Sequence, residues 1–591
     1  MRARHDIATQ LGMHDDAERP DLRVGGNGRA LVLFIVLGVV FSLWLSTQYV
    51  ARRFGYHPNL GRALTVLHVR GRAWPLYSPE RVFVWYAAYR QMGAFAGVFR
   101  TAWIVLFGST ITTTVGALSF ARRSRERLPS SSHGSARWGN GNALRTPNGF
   151  IVGRLDGELL RYAGEGHVLT VAPTRSGKGV SSVIPNLLSY PGSILITDPK
   201  GENFAVTAAW RLKGLGNTVY TLDPFGAVGG EASINPLDLI DDTSPDANDD
   251  AWTLADMLVM PETRRGGEQT FWNEEARALL AGLILHVATR LEKKRMRTLI
   301  DVRALLTLPP DTFDEMLRAM SVSDAADGLV ARAANRMLQK AEKERSGVIS
   351  TAQSHTHFLD SPRMADVLGT SSFDMAELKR KPTTVYVVLP PERLDTYARW
   401  MRLMIATGLL AMTRTKTRPR ERVLFLLDEF AHLGKLAPVQ RDIGLVGGYG
   451  ASFWLLVQDL AQLRATYPDQ WQTFIANSDV LQAFGTNDWE TADYLSKMTG
   501  DATIRVTSEN KSSGVSRGRS SNRQEGSALT TSNDARRLLL ADEVRRLPRD
   551  ASLLFVRGAE PILADRVSYL EDAEFHGRWK ENPLYGASSV L

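Results

Sequence analysis

Two long runs without a charged residue stand near the start of the chain: ALVLFIVLGVVFSLWLSTQYVA, residues 30–51, and TAWIVLFGSTITTTVGALSFA, residues 101–121. Each has the roughly 20 apolar positions a helix needs to cross a hydrocarbon core. Trp44, Tyr49 and Trp103 stand where interfacial aromatics sit. The first run is too long, and begins too far in, for a cleaved signal peptide, so the pattern predicts two transmembrane helices. From about residue 150 the pattern changes to short apolar, β-branched runs separated by helical periodicity. HVLTVA (167–172), SILITD (193–198), TVYVVL (384–389), VLFLLD (423–428), SFWLLVQ (452–458), VLQAF (480–484) and SLLFV (552–556) predict strands of a largely parallel sheet covered on both faces.

Between residues 246 and 381 strand signals nearly vanish and helical spacing takes over, as in FWNEEARALLAGLILHVATRLEKK. An all-helical domain inserted into the sheet is the economical reading. Residues 507–534 are rich in Ser, Arg and Gly without an apolar period, which predicts a mobile surface loop. Its Arg517, Arg519 and Arg523, with Arg505 upstream, either meet phosphate or are simply solvated.

Charge refines the picture. The net charge of +8 suits a nucleic-acid binder only if it lies in the right place. Residues 1–137 hold 18 arginines against 7 acids; the rest of the chain holds 53 basic and 56 acidic groups. The excess therefore belongs to the membrane-proximal part. Arg122, Arg123, Arg125 and Arg127 directly follow the second run and place the large carboxyl-terminal part in the cytoplasm, although the segment between the runs also carries eight arginines. Two crossings put both termini on that side. There is no cysteine, which excludes disulfides and thiolate metal sites.

The stretch APTRSGKG (172–179) resembles a phosphate loop, GxxxxGK[ST], in which backbone N–H groups cradle phosphates, the lysine reaches the β/γ oxygens and the hydroxyl holds Mg2+. Ala172 replaces the first glycine and Gly179 the hydroxyl residue. Gly177 and Lys178 remain, between a predicted strand and the helix opening VSSVIPNLL, in which Pro185 kinks or ends the helix. The nucleotide-binding candidates are Thr174, Arg175, Ser176, Gly177, Lys178, Gly179 and Val180. Ser182 is one turn too far along to replace the lost hydroxyl, so water would complete the metal's shell. A plain Gly-Lys turn is the alternative.

The strand in RVLFLLDEFAHLGKL ends in Asp428-Glu429. Asp428 would hold Mg2+ and Glu429 would act as general base toward the attacking water; the bland alternative is a helix-capping acid. Gln458 ends the next apolar run, where it either senses the γ-phosphate or caps the following helix. Asp198 would lie near the same rim.

Together HGSARWG (133–139), APTRSGKGVSSVIPNLL (172–188), TDPKGENF (197–204), INPLDLI (234–240), FWNEEARALL (271–280), VYVVLPPERL (385–394), LDEFAHLGKL (427–436), VQDLAQL (457–463) and FGTNDWETADYLS (484–496) resemble the type IV secretion coupling proteins, the TraG-like branch of the FtsK/HerA-type translocase ATPases. The resemblance implies an α/β fold: a RecA-like P-loop nucleotide-binding domain with an inserted all-α domain, preceded by two transmembrane helices. It divides the chain into a cytoplasmic tail (1–29), helix (30–51), periplasmic loop (52–100), helix (101–121), linker (122–150), nucleotide-binding domain (151–245), all-α insertion (246–381) and the rest of the nucleotide-binding domain (382–591). It implies ATP and Mg2+ as cofactors, a GKG loop ending that remains active, and a homo-hexamer in the bacterial inner membrane. The implied partners are type IV secretion channel components, with a relaxase–DNA complex, effector proteins or both as cargo. In such rings a neighbour's arginine completes the site; Arg441 is the candidate, since GLVGGYGASFW has no basic residue before its strand.

Three functions follow: an ATP-hydrolysing motor with Lys178, Glu429 and Gln458 as catalytic residues and Asp428 on the metal; a membrane-anchored receptor or scaffold that binds nucleotide with negligible turnover, a reading Gly179 motivates; or a generic DNA-translocating ATPase.

Overall fold

Apolar runs without a polar face are stable as strands only where helices cover both sides. In a computed structural model of the protein, describing residues 26–69, 72–125, 133–259, 267–290, 297–516 and 522–582, such runs form the middle of an eleven-stranded sheet. The expected tail's residues 1–25, linker residues 126–132 and the loop arginines Arg517 and Arg519 lie outside the described residues.

The strands, in chain order, are β1 (Phe150–Leu155), β2 (Glu158–Tyr162), β3 (His167–Val171), β4 (Ile194–Asp198), β5 (Thr218–Leu222), β6 (Thr383–Val388), β7 (Val423–Leu427), β8 (Ala451–Val457), β9 (Ser478–Ala483), β10 (Ala551–Val556) and β11 (Ile562–Asp565). Their spatial order is 2-1-11-10-9-3-8-7-4-6-5. From β9 to β5 all neighbours are parallel. The sheet is not parallel throughout: β10, expected in the parallel set, runs antiparallel to β9, and β11, β1 and β2 extend it antiparallel. Two reversals bring β11 back to the direction of β3, so its carboxyl end reaches the same rim.

β3, β4, β6, β7 and β8 are buried along their whole lengths. Val168, Leu187, Ile196, Tyr386, Leu426 and Trp454 belong to the main core. Arg211 is wholly buried there, its guanidinium donating to the carbonyls of Leu187, Tyr190 and Gly192 and to Asn217 Oδ1. It ties the helix after the phosphate loop to β4 without a carboxylate, and burial lowers its pKa to about 10.

From Ala247 to Arg380 every described element is helical. Asp501–Ser516 and Asn522–Arg537, in contrast, pair from Asp501↔Arg537 to Ser516↔Asn522 as a long antiparallel ribbon. Where it is described, the segment expected as a mobile surface loop over 507–534 is strand-paired. Strand pairing here is made by main-chain hydrogen bonds, which leave no apolar alternation to read.

Residues 26–125 belong to a second compact unit. Helix Gly26–Arg53 contains the first apolar run and helix Ala96–Arg125 the second. Ser46 Oγ donates to Ala102 O at 2.8 Å between them. Between them the described residues form a hairpin (Thr65–Val69 with Arg72–Leu76) and helix Arg81–Tyr89, and Leu60, Tyr77, Val82 and Trp85 pack against Val50 and Phe99. Ile104, Phe107, Ile111 and Val115 remain outward-facing. Among the described residues one segment, Gly93–Gly116, is long and apolar enough to cross a membrane.

Candidate nucleotide site

The carboxyl rim of a parallel sheet gathers strand ends and helix amino termini, and ligands bind there. After β3, Ala172 N extends the ladder by donating to Val457 O at 2.9 Å, Ser176 N closes a turn onto Pro173 O, and Ser181 N bonds Gly177 O to start the helix. Gly177 has φ +85°, a conformation glycine adopts without strain. The proline at 185 has no N–H for Ser181 O, and the first turn, Gly179–Val183, is widened into a π-turn closed by Ile184 N on Gly179 O. The helix then continues through Pro185 to Ser189 rather than ending there.

β8 lies between β3 and β7, so the ends of three adjacent strands carry Lys178, Gln458 and Asp428-Glu429. Lys178 Nζ is 2.9 Å from Asp428 Oδ1 and 2.5 Å from Glu429 Oε1. Gln458 Nε2 donates to Glu429 Oε2 at 3.0 Å, and Thr174 Oγ1 donates to Gln458 Oε1 at 3.1 Å. The lysine and the carboxylates, about 250 positions apart in sequence, thus share one small volume.

Glu429 sits at φ +54°, a left-handed conformation that costs a non-glycine residue about 1 kcal/mol. That turn swings its carboxylate off the strand direction and onto Lys178. Burial alone would lower the Lys178 pKa, but the two carboxylates outweigh it and hold the ammonium above its ordinary value. Burial alone would likewise raise Glu429; the Lys178 charge and the bonds from Lys178 and Gln458 hold it below the usual glutamate range.

The other predicted residues divide. Ser182 is buried and its hydroxyl is spent on Gln482 Oε1. Asp198 reaches the rim, but its oxygens accept from Phe204 N (2.8 Å) and Asn203 Nδ2 (3.3 Å) at the start of helix Glu202–Lys213. Its burial raises the pKa to about 7. Arg175 is exposed at φ +59°, and Val180 packs into the cluster of Ile184 and Leu188. Arg441 is paired with its neighbour Asp442 at 2.9 Å, with its side chain 64% exposed.

Two residues escaped sequence reasoning. His432 Nδ1 lies 2.9 Å from Glu429 Oε2, a third grip on that carboxylate. Its spacing of three from Glu429 on a helical turn was the available signal. Arg566, directly after β11, donates through Nη1 to Ser176 O of the phosphate loop and through Nε to Ala551 O. Its guanidinium stacks 3.5 Å from the Phe484 ring centroid. Nothing in the sequence connects Arg566 with a loop 390 positions away.

A Mg2+ ion bound with a triphosphate keeps several waters and asks for one or two protein oxygens. The Asp428 carboxylate, 15% exposed beside Lys178, meets that demand. Among the described residues, its chain neighbours and its own helix backbone aside, no atom lies within 4 Å of where a Gly179 side chain would begin, leaving room for water in place of the lost hydroxyl.

The sequence model of a family described as "Type IV secretory system Conjugative DNA transfer" matches residues 123–588. The chain belongs to that family. This coupling protein is 32% identical over 612 residues to a conjugal transfer protein TraG of Escherichia coli, covering 92% of each chain. It is 27% identical over 561 residues to the protein VirD4 of Agrobacterium fabrum, covering 92% of this chain and 78% of VirD4. Structures of the plasmid coupling protein TrwB in complex with ADP and Mg2+ and with a non-hydrolysable ATP analogue align with TM-scores of 0.55 and 0.54 at 15% identity. Each covers 73% of this chain and 94% of TrwB, which shows that the coupling protein shares the TrwB fold. It is thus a TraG/VirD4-type coupling protein of type IV secretion and conjugative DNA transfer.

Proposed function

We propose that this coupling protein is an ATP-hydrolysing motor, anchored in the inner membrane, that feeds relaxase-bound DNA, effector protein or both to a type IV secretion channel. The observation that supports it is the convergence of Lys178, Asp428, Glu429 and Gln458 at the ends of three neighbouring strands. A triphosphate competes with the carboxylates for the Lys178 ammonium. Transfer of the ammonium to the phosphates removes the main charge that depresses Glu429, leaving burial, opposed by Gln458 and His432, to raise its basicity.

Glu429 then takes a proton from water as the water oxygen bonds the γ-phosphorus. The bond between that phosphorus and the β–γ bridging oxygen breaks, leaving ADP and phosphate. Gln458 orients the water or the γ-phosphate, and the backbone from Thr174 to Val180 cradles the phosphates. Mg2+, held by Asp428, would neutralise phosphate charge.

The family resemblance carries the expectation of a hexamer, in which Arg441, exposed and held only by its sequence neighbour among the described residues, would reach the adjacent subunit's site. The two long helices with outward apolar residues support a two-pass anchor with both termini cytoplasmic. The full-length protein in detergent tests the motor: phosphate release is expected in the wild type and lost in Lys178→Ala and Glu429→Gln. Equal release from all three would sink it. Nucleotide binding without release in the wild type would favour the scaffold reading that Gly179 motivates.

A further inference from the structure

Three strand ends beyond the nucleotide site, the same rim carries an open cleft of about 570 Å³. Phe225 enters it from the loop after β5, Arg393 from the loop after β6, Tyr397 from the first turn of helix Leu394–Arg414, and Arg363 from the helical part. The loop that presents Phe225 is held rigidly. The Asp223 carboxylate accepts the N–H groups of Ala227, Val228 and Gly229 at 3.0, 2.7 and 3.1 Å, drawing the chain into a closed turn.

The charge there is unusual. The guanidinium carbons of Arg363 and Arg393 each stand 5.6 Å from the Phe225 ring centroid, and Tyr397 meets the same ring edge-on at 4.9 Å. Among the described residues neither guanidinium is ion-paired with a carboxylate; Arg363 Nη1 donates to Pro224 O at 3.5 Å, and Glu392 also lines the cleft. Two guanidinium groups on one ring, neither of them ion-paired, favour an anionic partner with charge spread along it. Guanidinium planes and aromatic edges in one open groove also offer nucleobases surfaces to stack on.

We propose that this cleft binds single-stranded DNA, with Arg363 and Arg393 pairing with backbone phosphate and the Phe225–Tyr397 pair bordering a base. The proposal rests on DNA being a cargo of the motor. It places a DNA contact at the ends of β6 and β5, on the same rim as the hydrolysis site but separated from it by β4, at the seam with the helical part.

The test is fluorescence anisotropy of a labelled oligothymidylate with full-length protein in detergent across a salt series. Arg363→Gln/Arg393→Gln is compared with wild type and with a control pair of exposed arginines, Arg318→Gln/Arg332→Gln. The cleft variant is expected to bind about tenfold or more weakly, with a salt slope shallower by about 1.4 for two lost phosphate contacts, while phosphate release without DNA stays unchanged. Inorganic phosphate and ATP at millimolar level are expected not to displace the oligonucleotide.

Equal affinity and slope in wild type and cleft variant would overturn the proposal. So would displacement by free phosphate, which would mark a small-anion site, or loss of oligomer in the variant, which would mark an interface between copies. Failure of the wild type itself to bind DNA would instead overturn the cargo reading.

Discussion

Gln458 donates its amide hydrogen to Glu429 Oε2 at 3.0 Å while its own carbonyl accepts from Thr174 Oγ1 at 3.1 Å. One side chain therefore joins the candidate base to the phosphate loop. Gln458→Ala frees the Glu429 carboxylate from that grip, leaving Lys178 and His432. Turnover is expected to fall by about a hundredfold, in the range of lost positioning and polar stabilisation at a reacting centre, with nucleotide affinity within a few-fold of wild type. Steady-state phosphate release and equilibrium binding of a fluorescent ATP analogue separate the two. Parallel losses of affinity and turnover would mean that Gln458 serves the loop rather than the base.

The empty surroundings of Gly179 make a gain-of-function test possible. Gly179→Ser adds the hydroxyl of the usual phosphate loop where, among the described residues, only its own chain neighbours and helix backbone approach the new Cβ. The Mg2+ concentration for half-maximal phosphate release is expected to drop about tenfold, the equivalent of about 1.4 kcal/mol. An unchanged Mg2+ titration would show that this position is not on the metal.

Arg566, at the carboxyl end of β11 on the same rim, braces the phosphate loop. Arg566→Ala removes a charged hydrogen bond to Ser176 O, an interaction worth roughly 1.5–3 kcal/mol, and KM for ATP is expected to rise about tenfold or more with a smaller change in kcat. Arg566→Lys keeps the charge but loses the planar stack on Phe484, and is expected to recover only part of the affinity. Full recovery by lysine would show that charge alone matters.

His355 supplies a pH dependence of stability. Burial, with the charges of Arg399, Arg402 and Arg277, pushes its pKa from 6.5 down to about 4. Its Nε2 meets Asn273 Oδ1 at 2.9 Å, and Arg399 Nη2 lies 3.3 Å from Nδ1. The unfolded chain takes up the proton as pH falls below 6.5 and the folded one resists until about 4. Stability is therefore lost progressively across that window, by roughly 3 kcal/mol in total. Urea unfolding of the full chain between pH 7 and pH 4 is expected to show this slope, and His355→Gln to remove part of it while lowering stability at pH 7. An identical slope in the variant would refute the assignment.

Much of the sheet was readable because its central strands are buried on both faces and so appear as unbroken apolar runs, as in VLFLL of β7. The outer strands were not. β5, partly exposed at the sheet edge, has a mixed composition, and β1 and β2 resemble loop until the Asp156-Gly157 pair between them is recognised as a hairpin turn. At φ +54° and +84°, those two residues carried a signal that the apolar pattern hid. The candidate site was half legible. Gly177-Lys178 and Asp428-Glu429 announce themselves by local motif, whereas the proximity of Arg566 to Ser176 arises from the order in which distant strands are laid side by side.

By itself, the order of residues determined the central strands, the two apolar helices, the loop ending in Gly-Lys and the acidic strand end, because each follows from short-range periodicity and backbone preference. Only the folded chain decided that β8 would separate β3 from β7, that two chain reversals would return β11 to the phosphate rim, and that Arg363 and Arg393 would flank one phenyl ring without a carboxylate. Strand neighbours are chosen by packing across hundreds of residues, and the electrostatics of a rim depend on those neighbours.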